Sequence, residues 1–193
     1  RLRAGLQQFK DDYDRTPPMW RILPEFCAHH PRYERMGLRD LCQHVHTLYA
    51  RHDIARLTTD MYLSELTPAM NPADAYACIA RRQVERVEID QLEGRIATAL
   101  ITPYPPGIPL LIPGEVFNRK IVDYLKFARD FAIECPGFET DIHGLVEIED
   151  DKGNVRYFAD CVAADGRQHR VRPLSRTQDM LDAHRDSPYL TAE

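Results

Sequence analysis

The sequence predicts an α+β protein: a helical N-terminal half, then a small mixed sheet with a covering helix, and a C-terminal β-hairpin. Three observations carry that prediction. Apolar residues recur at helical spacing through much of the first half. Tyr104–Glu115 (YPPGIPLLIPGE) sets four prolines and two glycines around a short apolar run. Near the end, two β-rich runs flank a loop of turn-forming residues.

The first helix is read over residues 2–13, where Leu2, Leu6, Phe9 and Tyr13 fall at spacings of 4, 3 and 4. It stops at Arg15-Thr16-Pro17-Pro18, because proline cannot continue a helix. Trp20–Phe26 is apolar but interrupted by Pro24, and a short strand or turn is expected there. The clearest helix runs from Gly37 to His52, with Leu38, Leu41, Val45, Leu48 and Tyr49 on one face. The signal weakens from Ile54 to Ala80, although a helix is expected to begin near Pro72 because proline suits a first turn. Val84–Ile89 reads as a short strand. Asp90 and Glu93 have capping-box spacing and predict a further helix over QLEGRIATAL.

The proline-rich stretch cannot be helical, since each proline fixes φ and biases the residue before it away from the α region. It is also too apolar for a solvated linker. Leu110, Leu111 and Ile112 are therefore expected as a brief buried strand crossing a core. Pro105-Pro106-Gly107 and Pro113-Gly114 are the turns at its ends, with glycine supplying φ > 0. Asn118 or its neighbour then caps a helix to about Glu134, with Ile121, Tyr124, Leu125, Ala128, Phe131 and Ala132 buried. Pro136-Gly137 ends it. Leu145–Ile148 and Val155–Val162, on either side of Asp150-Asp151-Lys152-Gly153-Asn154, form the hairpin. Beyond Ala164 the chain is arginine-rich with little apolar periodicity, and residues 165–193 are read as a polar tail.

Composition narrows the function classes. A chain of 193 residues that is 44% hydrophobic and 28% charged is an ordinary globular protein. A net charge of −5 argues against a nucleic-acid surface. No apolar run is long enough to span a membrane. Five scattered cysteines read as reduced thiols in a cytoplasmic setting. The opening RLRAGLQQF is neither a signal peptide nor headed by a methionine, which suggests a piece of a longer polypeptide.

Two motifs carry a resemblance. Pro103-Tyr104-Pro105-Pro106-Gly107-Ile108-Pro109 with Pro113-Gly114-Glu115, followed by Pro136-Gly137-Phe138-Glu139-Thr140-Asp141-Ile142-His143-Gly144, resembles the C-terminal domain of the bacterial ornithine/lysine/arginine decarboxylases. The likeness runs from about Leu6 to about Val162. It implies that residues 1–21 end a preceding small subdomain, that 22–164 form the C-terminal domain, and that 165–193 extend past the family pattern. It further implies a basic amino-acid substrate, with the second motif most like that of lysine-acting members, and a homo-oligomer of two or more subunits. Pyridoxal phosphate would bind in the full-length enzyme, outside this stretch.

Candidate site residues follow from both readings. No catalytic residue is expected here. The four lysines, Lys10, Lys120, Lys126 and Lys152, are never preceded by the histidine typical of the cofactor lysine in this family. Each is also set on a polar helix face or in a turn, unlike a desolvated Schiff-base lysine. Cys42 and His46 are four apart on a helix, but a metal would need further ligands, so core cysteine and surface histidine are the reading. Tyr104, Glu115 and His143 remain as substrate-channel candidates. Tyr104 would touch the channel and Glu115 would attract a cationic substrate, or pair with Arg95 and serve structure alone. His143 either anchors its loop through Asp141 or Glu139, or lines the entrance. An assembly or regulatory domain with no substrate contact is the alternative.

Overall fold

The structure, a computed structural model, describes residues 1–150 and 155–164. In chain order it contains α1 (Leu2–Arg15), α2 (Met19–Ile22), α3 (Pro24–His29), α4 (Leu38–Arg51), α5 (Ile54–Leu63), α6 (Pro72–Ala80), β1 (Val84–Glu88), β2 (Thr102–Tyr104), α7 (Arg119–Glu134), β3 (Asp141–His143), β4 (Leu145–Glu149) and β5 (Val155–Val162). The class is α+β. Two compact units divide the chain. One holds Arg1–Ser64, Tyr104–Pro106 and Arg119–Asp141, and the other holds Glu65–Pro103, Gly107–Asn118 and the described residues from Ile142 onward. The tail beyond residue 164 and most of the hairpin loop lie outside the described residues. No helix among the described residues is long and apolar enough to cross a membrane.

In the helical unit, Met19, Cys27, Tyr33 and Leu41 form a buried cluster with Phe26, Met36, Leu38 and Val45 packed on it. Phe26 stacks on Tyr33 at 5.5 Å and meets Phe138 at 5.2 Å between ring centroids. On α7, Phe131 lies 5.5 Å from the Tyr49 ring of α4. The buried residues of α7 are Ile121, Val122, Tyr124, Leu125, Phe127 and Phe131. Ala128 and Ala132 are only half-buried. Gly137, at φ +92°, turns the chain after α7, with the Phe138 amide on the Cys135 carbonyl at 3.1 Å. Helix α1 buries nothing: Leu2, Leu6 and Phe9 are 78%, 61% and 56% exposed.

The second unit is built around a three-stranded antiparallel sheet in the order β1-β5-β4. The predicted hairpin is present, with Leu145 opposite Ala159 and Glu149 opposite Val155. The other edge of β5 pairs with β1, Val87 opposite Ala159 and Arg86 opposite Asp160. Strand alternation puts Val87, Ala159 and Cys161 on a buried face. On the opposite face Arg86 grips Asp160 and Arg156 grips Glu88, each through two hydrogen bonds. Burial pushes the Cys161 thiol up to about 12. A separate two-stranded sheet pairs β2 with β3.

Four local expectations need correction. Trp20–Phe26 contributes to two short helices, because Pro24 stands in a first turn, where its missing N–H costs nothing. Ile54–Leu63 is a helix that a weak apolar pattern concealed. The helix expected after Asp90 is absent. A 3₁₀ turn over Ile89–Gln91 leads to Gly94 at φ +81°, and the Ala97 amide then bonds the Glu115 carbonyl at 2.9 Å. Strand-like partners take the hydrogen bonds a helix would have needed. Lastly, Leu110–Ile112 is no continuous strand. Leu110 and Leu111 are buried, but a single bridge joins Leu111 to Ile101, and Ile112 is 41% exposed.

Candidate functional site

The proline-rich crossing is held by backbone bonds rather than by a regular ladder. Its entry is fixed by Gly107 at φ +81°, whose amide donates to the Pro103 carbonyl at 2.8 Å. Midway, the Ile101 amide donates to Leu111 at 3.0 Å, and Leu110 donates back to Ile101 at 2.8 Å. The exit is a type II turn. Pro113 takes its second position, Gly114 its third at φ +91°, and the Glu115 amide closes it on the Ile112 carbonyl at 3.2 Å.

Gly114 is the knot of this arrangement. Its carbonyl accepts from the Ala69 and Met70 amides at 2.8 and 3.1 Å, while its amide donates to the Ala97 carbonyl at 2.8 Å. A β-carbon there would lie 2.2 Å from the Met70 carbonyl oxygen. Three segments distant in sequence therefore meet at one residue that has no side chain.

Glu115 sits on that knot. Its Oε2 accepts from the Ile112 amide at 2.9 Å, which folds the carboxylate back over the turn. Arg95, the ion-pair partner considered from sequence, instead reaches Glu85 at 2.6 Å and the Val162 carbonyl at 3.4 Å. His143 is exposed at the end of β3. The next residue, Gly144, has φ +93°, and a β-carbon on it would meet the Leu100 carbonyl oxygen at 2.2 Å. Tyr104 belongs to the other unit and is 46% exposed. In β2, Thr102 is buried with its hydroxyl lacking a partner among the described residues. Sequence reading missed both Thr102 and the seat of Gly144. The only available signal was a glycine directly before a β-rich run.

Two of the lysines are held in ion pairs. Lys10 pairs with Asp14 on α1, and Lys120 pairs with Asp60 at 2.8 Å. The hydrogen bond to Asp14 raises the Lys10 ammonium above the usual lysine range, opposite to what a Schiff-base lysine requires. Lys126 follows Leu125 on α7, and Lys152 lies outside the described residues. Cys42 and His46 both stand on α4, and the five cysteines are unbridged. Among the described residues, no group of three or more His, Cys, Asp or Glu side chains is placed to hold a metal.

Comparison with known proteins identifies the family. The family model described as Orn/Lys/Arg decarboxylase, C-terminal domain, matches residues 55–163. Lysine decarboxylase LdcA of Pseudomonas aeruginosa is 42% identical over 165 residues, covering 83% of this chain and 22% of that protein. The inducible ornithine decarboxylase of Escherichia coli is 35% identical, covering 78% and 21%. The solved structure of lysine decarboxylase A from Pseudomonas aeruginosa superposes with a TM-score of 0.77 over 83% of this chain and 22% of that one. The constitutive lysine decarboxylase of E. coli gives 0.74 at 34% identity, over 83% and 23%. The chain thus spans about a fifth of the length of the curated relatives it matches. With a family match over more than half of its length and relatives 42% and 35% identical across most of it, the chain belongs to the Orn/Lys/Arg decarboxylase C-terminal domain family.

Proposed function

We propose that this chain is the C-terminal domain of a pyridoxal-phosphate-dependent decarboxylase of a basic amino acid, lysine ahead of arginine or ornithine. The observation that carries it is the 42% identity to a lysine decarboxylase across most of the chain. Pyridoxal phosphate, when bound in the whole enzyme, supplies the electron sink for the carbanion left by loss of CO2. Lys10 and Lys120 are engaged in ion pairs, which supports placing its site outside this stretch. In this reading residues 1–21 end the preceding small subdomain. The free thiols support a cytoplasmic location.

The role proposed for the domain is to shape the substrate channel and the subunit contacts of a homo-oligomer. Rigid turns presenting exposed side chains are what a channel rim requires. Glu115 offers a carboxylate fixed by the Ile112 amide, suited to drawing in a cationic amino acid. Tyr104 and His143 would contact substrate on its way in. A second reading, assembly or regulation without substrate contact, draws support from the uncovered apolar stripe of α1.

Two variants of the full-length protein separate the readings. Tyr104→Phe removes a hydroxyl, and Glu115→Gln keeps the acceptor for Ile112 while removing the charge. A severalfold rise in KM for lysine, with sedimentation unchanged, supports the channel. Unchanged kinetics with a dissociated oligomer supports assembly. The chain by itself is expected to be inactive and, mixed with pyridoxal phosphate, to develop no absorbance of a lysine-bound cofactor. A stable adduct mapped to one lysine would refute that.

A further inference from the structure

Gly144 combines two demands that only glycine meets. Its φ of +93° is strained for any residue with a β-carbon. A β-carbon at this position would also lie 2.2 Å from the Leu100 carbonyl oxygen, 3.1 Å from its carbon and 2.8 Å from Ile101 Cδ1. The wall it rests against does not yield easily. Ile101 is buried, its amide is bonded to Leu111, and its carbonyl accepts from Leu110. Thr102 and Pro103, next along, are buried as well. On the other side of Gly144 the chain enters β4 at once, with Leu145 in register opposite Ala159.

His143 is therefore an exposed side chain on a backbone clamped from both directions. It ends β3, which pairs with β2, and it precedes the glycine seated on Leu100. The backbone that carries it is held by the pairing of β3 with β2 and by the close approach of Gly144 to Leu100.

We propose that Gly144 is a positioning residue for His143, holding the imidazole in the direction that meets the incoming basic amino acid. This rests on the entrance reading of His143 given above. Placing a β-carbon at Gly144 would force the Leu100 carbonyl and the 143–144 backbone apart by roughly 1 Å, since ordinary contacts lie beyond 3 Å. A displacement of that size at a substrate-orienting group carries a large kinetic penalty.

The test uses the full-length protein, with His143→Gln, Gly144→Ala and the double variant, in steady-state decarboxylation of L-lysine. The expected result is a rise in KM of about three- to tenfold in each single variant with kcat within twofold. The double variant should be no worse than His143→Gln alone. An unchanged KM in His143→Gln would remove the entrance reading itself. A raised KM in His143→Gln combined with full additivity, or with no effect of Gly144→Ala, would overturn the positioning role and leave the entrance intact. If Gly144→Ala does not fold, Ile101→Val decides the matter, since it trims the Cδ1 that forms part of the seat. A smaller KM rise that vanishes in the His143→Gln background supports the proposal, and no rise overturns it.

Discussion

Helix α1 and the proline-rich crossing are opposite kinds of structure. The helix has a clean apolar repeat, a continuous backbone ladder and a sharp stop, with Thr16 at φ 47° closing it on the Asp12 carbonyl. Yet it has no buried residue. The crossing has no repeat and almost no ladder, yet Leu110 and Leu111 are among the most buried side chains. The difference shows that periodicity reports how a segment satisfies its own backbone, whereas burial reports what the rest of the chain does to it. In the crossing, the bonds that hold the segment come from Ala69, Met70, Ala97, Ile101 and Pro103 as well as from within.

The largest effect expected from this contrast is at Gly114. Gly114→Ala combines a left-handed φ with a β-carbon 2.2 Å from the Met70 carbonyl, and relief of that clash would break the bonds from Ala69 and Met70. Summing about 1 kcal/mol of backbone strain and about 1 kcal/mol per bond gives roughly 3 kcal/mol lost in urea denaturation. A loss under about 1 kcal/mol would show that the knot is not the organising point of its unit.

Leucines give the next contrast. Leu111→Ala removes a fully buried side chain, and thermal or urea unfolding should show a loss of about 2–4 kcal/mol. Leu6→Ala, on the uncovered stripe of α1, should change the stability of this chain by under about 0.5 kcal/mol. Equal losses would mean that the stripe of α1 is covered in solution.

These same features decide what could be read from sequence. Helices α4, α6 and α7 and the β4–β5 hairpin were legible because their signals are local: apolar spacing, Pro72 in the first turn of α6, and turn residues between two β-rich runs. The pairing of β1 with β5 was not, since nothing in VERVE names a partner some seventy residues away. Asp90 and Glu93 suggested a helix because capping chemistry is local, but the amide of Ala97 had a distant carbonyl to satisfy it. Positive φ at Gly107 and Gly114 was foreseen from Pro-Gly pairs, although the turn at Gly107 closes through its own amide on Pro103, and the seat of Gly144 on Leu100 was not foreseen. Close approach of two backbones leaves no mark in sequence beyond the glycine itself.

A smaller and opposite effect is expected at the other glycine of the comparison. Gly5 lies inside α1, and a β-carbon there would meet nothing within 4 Å. Gly5→Ala should raise stability by about 0.5–1 kcal/mol through helix propensity, provided fraying of α1 is part of the measured transition. Circular dichroism during thermal unfolding checks this. A loss would reveal an unseen neighbour.

The smallest effect concerns charge, and its sign can be worked out. Lys10 of α1 and Arg39 of α4 both reach Asp14, and Arg39 also lies over the Tyr13 ring at 5.2 Å. The hydrogen bond from Lys10 holds the Asp14 carboxyl below the usual carboxylate range, and the same bond raises Lys10. A carboxylate whose pKa is depressed by folding stabilises fully above its unfolded value, near 4, and the contribution disappears as pH falls through the folded value. A raised ammonium behaves in reverse: its contribution is complete below about 10.5 and fades as pH climbs through the folded value. The attachment of α1 should therefore weaken at both extremes and hold between them. Both groups are exposed, so salt should shrink the effect. Amide exchange along residues 5–15 should quicken below pH 4 in the parent, while Asp14→Asn should exchange faster at pH 7 and lose most of the acid dependence. The amides of Leu110 and Leu111, with no ionisable group in their own bonds, should show no matching step. If acid loosened both regions together, α1 would be coupled to the whole fold rather than tied on by Asp14, and the contrast between the two regions would fail.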